Sequence, residues 1–211
     1  YKDAVIWSAY DASWGIATRN GLSLCRKPAT LFGIREPDPL QLDENGERLR
    51  FSIPGYSSAF VFDCSQRILY RETPGFLPFS LLPPITTGMG IEDWKESETP
   101  TINGELLPLQ EGERSRALSV HPSLDRFLIG TEWYLRQYGH DARLLWSVLA
   151  PGVVLSVRYV KNGAQCAAAF SDGTVRFYRS EDGEELCALR IDPETLEWIM
   201  WTPAGYYACD G

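Results

Sequence analysis

No stretch of this chain approaches the ~20 consecutive apolar residues of a membrane-spanning helix, and no basic segment followed by an apolar core and a small-residue cleavage site opens it. A membrane span is not expected, secretion has no support, and the expected location is cytoplasmic. Positive charge is scarce, with 20 Lys and Arg against 28 Asp and Glu and a net charge of −8. Nonspecific nucleic-acid affinity depends on clustered Lys and Arg, so nucleic acid is not an expected partner. The five cysteines, Cys25, Cys64, Cys166, Cys187 and Cys209, are odd in number, scattered, and form no C-x-x-C pair. Neither His121 nor His140 lies near one in sequence, so a zinc site of the usual spacing is absent and reduced thiols are the expectation. There is no phosphate-binding G-x-x-x-x-G-K-[ST] loop, and no carboxylate pair stands out as a glycosidase dyad. No cofactor, no metal and no catalytic residue is assigned.

What the chain does contain is a repeat. Ser119-Val120-His121-Pro122-Ser123, Phe127 to Thr131 and Tyr134 to Tyr138 are echoed by Ser156 to Tyr159, Cys166 to Ala169 and Thr174 to Tyr178. The pattern restarts at Trp198-Ile199-Met200-Trp201-Thr202-Pro203-Ala204-Gly205. Val120 to Val157 spans 37 positions and Val157 to Ile199 spans 42, bracketing the ~40–45 residues of a four-stranded propeller blade. The expected fold class is all-β, a β-propeller of four-stranded antiparallel blades. With 44% hydrophobic and 12% aromatic residues, the 211-residue chain can bury a substantial core.

Turn chemistry marks the blades. Leu155 to Val160 alternates apolar and polar residues and runs into Lys161-Asn162-Gly163, a hairpin turn; Ser171-Asp172-Gly173 and Glu181-Asp182-Gly183 supply two more. Residues 154 to 192 read as one blade with Leu186 to Ile191 outermost. The preceding blade turns at Pro122 to Asp125, Thr131 to Trp133 and Gly139 to Ala142, with Arg143 to Leu149 as its outer strand and Trp146 packing between blades. Asp125, Asp141, Asp172 and Asp182 fall where short polar side chains cap turns, and both histidines fall in turns of one blade, which assigns them structural or solvated positions. An earlier blade starts near residue 3, with Ala4 to Tyr10, a turn at Asp11 to Gly15, Ile16 to Thr18, a turn at Arg19-Asn20-Gly21, and Leu22 to Cys25. Leu49 to Ile53, Ser58 to Asp63 and Arg67 to Arg71 suggest a divergent blade after a loop at Glu36 to Glu47.

The organisation expected is therefore residues 1–72 as divergent blades, 73–115 as a Pro/Gly-rich acidic insertion or linker, and 116–211 as two blades plus the start of a third. The insertion holds Pro74-Gly75, Pro78, Pro83-Pro84 and the run Glu92-Asp93-Trp94-Lys95-Glu96-Ser97-Glu98, read most simply as a solvated loop. Of the seven tryptophans, Trp7, Trp146, Trp198 and Trp201 sit in strand positions and read as core. Trp94 and Trp133 are the candidate interaction residues.

The register resembles WD40 repeats. His121-Pro122-Ser123-Leu124-Asp125 and Thr202-Pro203-Ala204-Gly205 are similar to the family's F-S-P-D-G turn, and Ser171-Asp172-Gly173-Thr174-Val175-Arg176 follows in place. The naming Trp-Asp dipeptide is missing, with Tyr138-Gly139 and Tyr178-Arg179 in its positions, which marks a divergent member. Residues 116 to 211 are similar to the C-terminal WD40-like regions of bacterial multidomain proteins that also carry caspase-like peptidases or other effectors; residues 1 to 72 match weakly. No Cys here stands in the Q-A-C-x-G setting of such a peptidase. The resemblance implies a noncatalytic protein-interaction or sensor module of a signalling or defence protein, with a protein partner. The chain is expected to be part of a larger propeller, completed by a second chain or associated with a caspase-like protease. A closed four-bladed propeller, a propeller enzyme completed by further blades, and a fragment or substrate of the protease are the rival readings.

Overall fold

The computed structural model describes residues 4–8, 14–18, 23–26, 40–53, 55–73 and 80–210, with side chains from residue 40 onward. Every strand pairing in it is antiparallel. β1 (Ala4–Ser8), β2 (Trp14–Thr18) and β3 (Ser23–Arg26) form one meander. A four-stranded sheet follows, β4 (Leu40–Leu42), β5 (Arg48–Phe51), β6 (Phe60–Asp63) and β7 (Ile68–Arg71). A small sheet comprises β8 (Ile91–Glu92), β9 (Thr101–Ile102) and β10 (Glu105–Leu106). The second four-stranded sheet is β11 (Ser115–Val120), β12 (Arg126–Thr131), β13 (Tyr134–Gly139) and β14 (Leu144–Leu149). The last sheet runs β15 (Val154–Val160), β16 (Gln165–Phe170), β17 (Thr174–Arg179), β18 (Glu185–Ile191), β19 (Trp198–Trp201) and β20 (Tyr207–Cys209). The fold is all-β, and β4–β7, β11–β14 and the first four strands of the last sheet have the up-and-down four-stranded form of WD40-like blades. The turns at Asp11 to Gly15 and Arg19 to Gly21, the start of the Glu36 to Glu47 loop, the Pro74 to Pro78 stretch and the Trp7 side chain lie largely or wholly outside the described residues.

Period-two alternation decides how the sheets stack. In β16, Cys166, Ala168 and Phe170 pack with Leu128, Leu135 and Trp146 of the preceding sheet. Ala167 and Ala169, between them, pack with Leu42, Phe51, Phe60 and Phe62 on the other side. Three consecutive alanines have weak strand propensity, but a strand buried on both faces between bulky neighbours is set by packing rather than intrinsic preference. β11–β14 repeats the arrangement: Leu128 and Leu135 face the last sheet, while Leu118, Val120, Phe127, Ile129 and Tyr138 meet Met89, Ile102 and Leu107 around the small sheet. The stacking order is therefore β8–β10, β11–β14, β15–β20, β4–β7. The four-stranded sheet earliest in sequence closes onto the last one. Its far face carries ion pairs instead, Arg50 to Glu72 at 2.8 Å and Arg48 to Asp63 at 3.1 Å.

Three local readings change. Residues expected to be loop contain β4, because Leu40 and Leu42 both point into the core with Gln41 between them. Leu186 to Ile191 is not the edge of its sheet: β19 pairs along β18 from Ala188↔Trp201 to Ile191↔Trp198, and β20 pairs with β19. Burial of Trp198 against Phe62, ring centroids 5.0 Å apart, holds that hairpin against the sheet. The acidic run also does more than sit in solvent. Ser115 N–H donates to Ser97 O at 2.8 Å, Arg114 pairs with Glu98 at 3.0 Å and Arg116 pairs with Glu96, so the run is fastened along β11.

Candidate functional site

The first strands of the sheets, β4, β11 and β15, lie side by side, and a short strap crosses them. Leu82 N–H donates to Leu42 O at 3.1 Å and Val120 N–H to Ile85 O at 2.6 Å, so residues 82–85 satisfy backbone groups on both β4 and β11. Pro83 and Pro84 between these contacts have no N–H to satisfy. Beneath the strap is a cavity of about 190 Å³ whose lining includes Ser119, Arg158 and Tyr159. Arg158 is buried and donates through Nε to Leu40 O at 3.2 Å, tying β15 to β4. The guanidinium there fastens sheets together.

Among the described residues His121, Ser123 and Asp125 form a cluster whose residue types match a hydrolase triad, and its geometry is that of a turn. Catalysis needs the imidazole between the hydroxyl and the carboxylate. Here Ser123 Oγ stands between them, 2.5 Å from His121 Nδ1 and 2.5 Å from Asp125 Oδ1. Nδ1 also accepts the Ser123 backbone N–H at 3.1 Å. The other ring nitrogen abuts Gly163, to whose backbone the ring is hydrogen-bonded. Burial, helped by Arg126, lowers the His121 pKa against the opposing pull of Asp125. The imidazole is a neutral link between the β11–β12 turn and the β15–β16 turn, stacked edge-on to Tyr159 at 4.8 Å.

The interface between β11–β14 and β15–β18 holds a further polar set. Tyr159 donates to Gln137 Oε1 at 2.8 Å, Ser180 Oγ donates to the same oxygen at 3.2 Å, and Trp146 Nε1 donates to Ser180 O at 2.9 Å. Burial pushes the Tyr159 hydroxyl pKa far up, so it remains a donor. Glu113 is fully buried and accepts from Arg136, from Thr131 Oγ1 and from the Gln110 N–H at 2.9 Å. Arg136 in turn lies over the Tyr134 ring at 4.4 Å. Each of these charges is consumed by a structural partner, as buried charges must be. Asp141, Asp172 and Asp182 each accept a backbone N–H two residues on, which are turn caps.

The outer rim is different. Trp133, in the β12–β13 turn, is 41% exposed, and Leu149 on β14 is 75% exposed, with Leu144 and Leu145 also open to solvent. Ala150 N–H donates to Trp133 O at 2.8 Å, which brings the turn to the end of β14. Trp94, the other candidate, is half-buried against the cluster of Met89, Ile102 and Val120. The two tryptophans thus sit in different settings. Sequence reasoning singled out Trp133 but missed the leucines beside it, although Leu144-Leu145 and Leu149 break the alternation that a half-buried outer strand would show.

A groove of about 330 Å³ between β4–β7 and β15–β20 is lined by Cys64, Cys187, Lys161 and Met200, among others. Burial pushes the Cys64 thiol up to about 12 and also raises Cys187, so both are unreactive near neutral pH. Cys166 is fully buried and raised by the same cause. Among the described residues no three His, Cys, Asp or Glu side chains gather as metal ligands, and no helix is long and apolar enough to cross a membrane.

No protein-family profile and no curated protein matches the sequence. Among solved structures, one chain of the "Crystal Structure of Mitotic Checkpoint Complex" aligns over 98% of this chain and 71% of its own, with 10% identity and a TM-score of 0.42. At that level the likeness supports no structural or functional argument, and the architecture rests on the sheets and their packing.

Proposed function

We propose that the chain is a noncatalytic protein-interaction module whose contact surface is the outer rim around Trp133 and β14. The observation supporting this is that Trp133 and Leu149 stand exposed where the β12–β13 turn meets the end of β14, with Leu144 and Leu145 exposed at the other end of the same strand. Exposed apolar surface on an ordered scaffold marks partner sites, and rigid aromatic anchors supply much of the binding energy at such sites. The titratable residues supply the complementary observation. His121, Glu113, Arg136 and Arg158 are each engaged in fastening turns or sheets. Trp94 serves in this reading as a half-buried support to the neighbouring acidic run. The WD40-like resemblance extends the proposal to a cytoplasmic bacterial multidomain signalling or defence protein, with a second chain or a caspase-like protease as partner and residues 1–72, 73–115 and 116–211 as its units.

The test is affinity capture from the source lysate, quantified by mass spectrometry, with the native chain and with Trp133→Ala combined with Leu149→Ser. A stoichiometric protein held by the native chain and lost from the double variant, at unchanged thermal midpoint, is the expected result. Equal capture by both chains contradicts the assigned surface, and capture of nothing contradicts the module.

A further inference from the structure

The second four-stranded sheet and the last sheet are built alike up to their fourth strand and differ after it. β14 and β18 occupy the same place, and each enters through a register shift at the equivalent position, between Gln137 and Tyr138 in one and Phe177 and Tyr178 in the other. β18 then accepts a fifth strand, with Ala188↔Trp201, Leu189↔Met200, Arg190↔Ile199 and Ile191↔Trp198. Among the described residues no strand pairs with the outer side of β14.

An edge of this kind is usually blunted by lysine, proline, inward charge, a β-bulge or a covering element. β14 reads Leu-Leu-Trp-Ser-Val-Leu and contains none of these residues; its one register shift lies at its start, between Leu144 and Trp146, and from Trp146 to Leu149 it pairs regularly with β13. Its inward side chains, Trp146 and Val148, pack against the last sheet, which holds the strand in place. On its other face the neighbouring sheet is β8–β10, with two residues in each strand, and the cluster it forms takes in no residue of β14. Leu145 and Leu149 are therefore exposed beside a backbone edge that no described strand pairs.

The charge around the edge indicates what fits. The turn at Glu181, Asp182 and Glu184 stands against Trp146; a Cβ added at Gly183 would lie 2.8 Å from the indole. Arg179 pairs with Asp182 at 2.7 Å and Glu184 at 2.5 Å, so that turn carries three carboxylates against one arginine, while Arg143 alone precedes the strand. The whole chain carries −8.

We infer that β14 is a strand-addition site that takes an extended segment of a protein partner, apolar at alternate positions and flanked by Lys or Arg. This rests on the interaction-module reading above and names its partner class. The register of β19 on β18, transferred to β14, puts the segment opposite Ser147, Val148, Leu149 and Ala150. Main-chain hydrogen bonds would supply affinity, and selectivity would come from the side chains meeting Ser147 and Leu149 and, in a segment continued past that register, Leu145.

The test titrates the ¹⁵N-labelled chain with a short peptide of alternating valine and threonine between lysine pairs. Two controls accompany it, one peptide with prolines in the alternating stretch and one with glutamates in place of the lysines. The lysine-flanked peptide is expected to shift the amides of 144–150. Affinity should fall about ten-fold or more with Leu145→Lys and Leu149→Lys together, since edge lysines block pairing. The proline peptide should not bind and the glutamate peptide should bind more weakly. Shifts confined to β20, equal binding by the lysine variant, or no binding by the lysine-flanked peptide overturns the inference. Self-association of the native chain that the same two lysines abolish also overturns it, in favour of a second copy as occupant. If the partner captured from lysate is retained by the lysine variant, this inference fails while the module reading stands.

Discussion

At the scale of single residues, the chain concentrates its constraints at turns that touch a neighbouring sheet. Lys161, Asn162 and Gly163 all have positive φ, at 51°, 53° and 87°. At Gly163 the requirement is double, because an added Cβ would also overlap the His121 ring. Gly163→Ala should lower stability by about 2–4 kcal/mol, summing left-handed strain and displacement of a buried ring; urea unfolding measures it. His121 carries a pH signature as well. Its pKa is lowered on folding from an ordinary value of 6.5. The unfolded chain therefore binds the proton more readily, and the stability this residue contributes is present above about pH 6.5 and lost as pH falls below it. Asp125, held below the usual carboxylate range by the Ser123 hydroxyl, and Asp63, where bonds from Ser65, Gln66 and Arg48 outweigh its burial, act only at more acidic pH. Thermal midpoints measured between pH 5 and 7.5 should fall on the acid side, and His121→Asn should flatten that slope.

At the scale of elements, Trp146 shows what was legible and what was not. Its place in an outer strand, repeated one blade later, predicts packing between blades, and it does bridge two sheets, with its indole N–H on Ser180 O. Trp146→Ala should cost about 3–5 kcal/mol, as for large aromatic truncations in cores, measured by the same unfolding curves. The strands from 154 to 191 were readable because Asn-Gly and Asp-Gly turns punctuate a period-two pattern, and those from 115 to 149 because they repeat it with other turn residues, Pro122 to Asp125, Thr131 to Trp133 and Gly139 to Ala142. β4 was not, since three residues are too short to show a period, and its identity comes from Leu40 and Leu42 meeting Val160 across the core. The fifth-strand position of β19 was also hidden. Trp198 to Trp201 reads as a blade beginning by its repeat spacing, and only the contact with Phe62 shows where it rests. The rim was half legible: Trp133 could be proposed from its turn, whereas the openness of Leu145 and Leu149 follows from the smallness of the neighbouring sheet.

At the scale of the whole molecule, the sheets form a stack in which the last sheet is buried on both faces and β4–β7, though earliest of the three large sheets, closes against it. Long-range pairing of this kind makes the last sheet the hub: β4–β7 is held through Phe60, Phe62 and Trp198, and β11–β14 through Leu128, Leu135 and Trp146. The consequence for function is an asymmetry between two strands of equal rank, with β18 covered by β19 and β14, among the described residues, open. Hydrogen exchange of the free chain tests this directly, because both strands are read in one experiment under one global stability. The account predicts slow exchange through 185–191 and, within 144–149, fast exchange at the amides that point away from β13. Equal protection along both strands would contradict it, since β14 would then have a partner and the rim would not be free to bind.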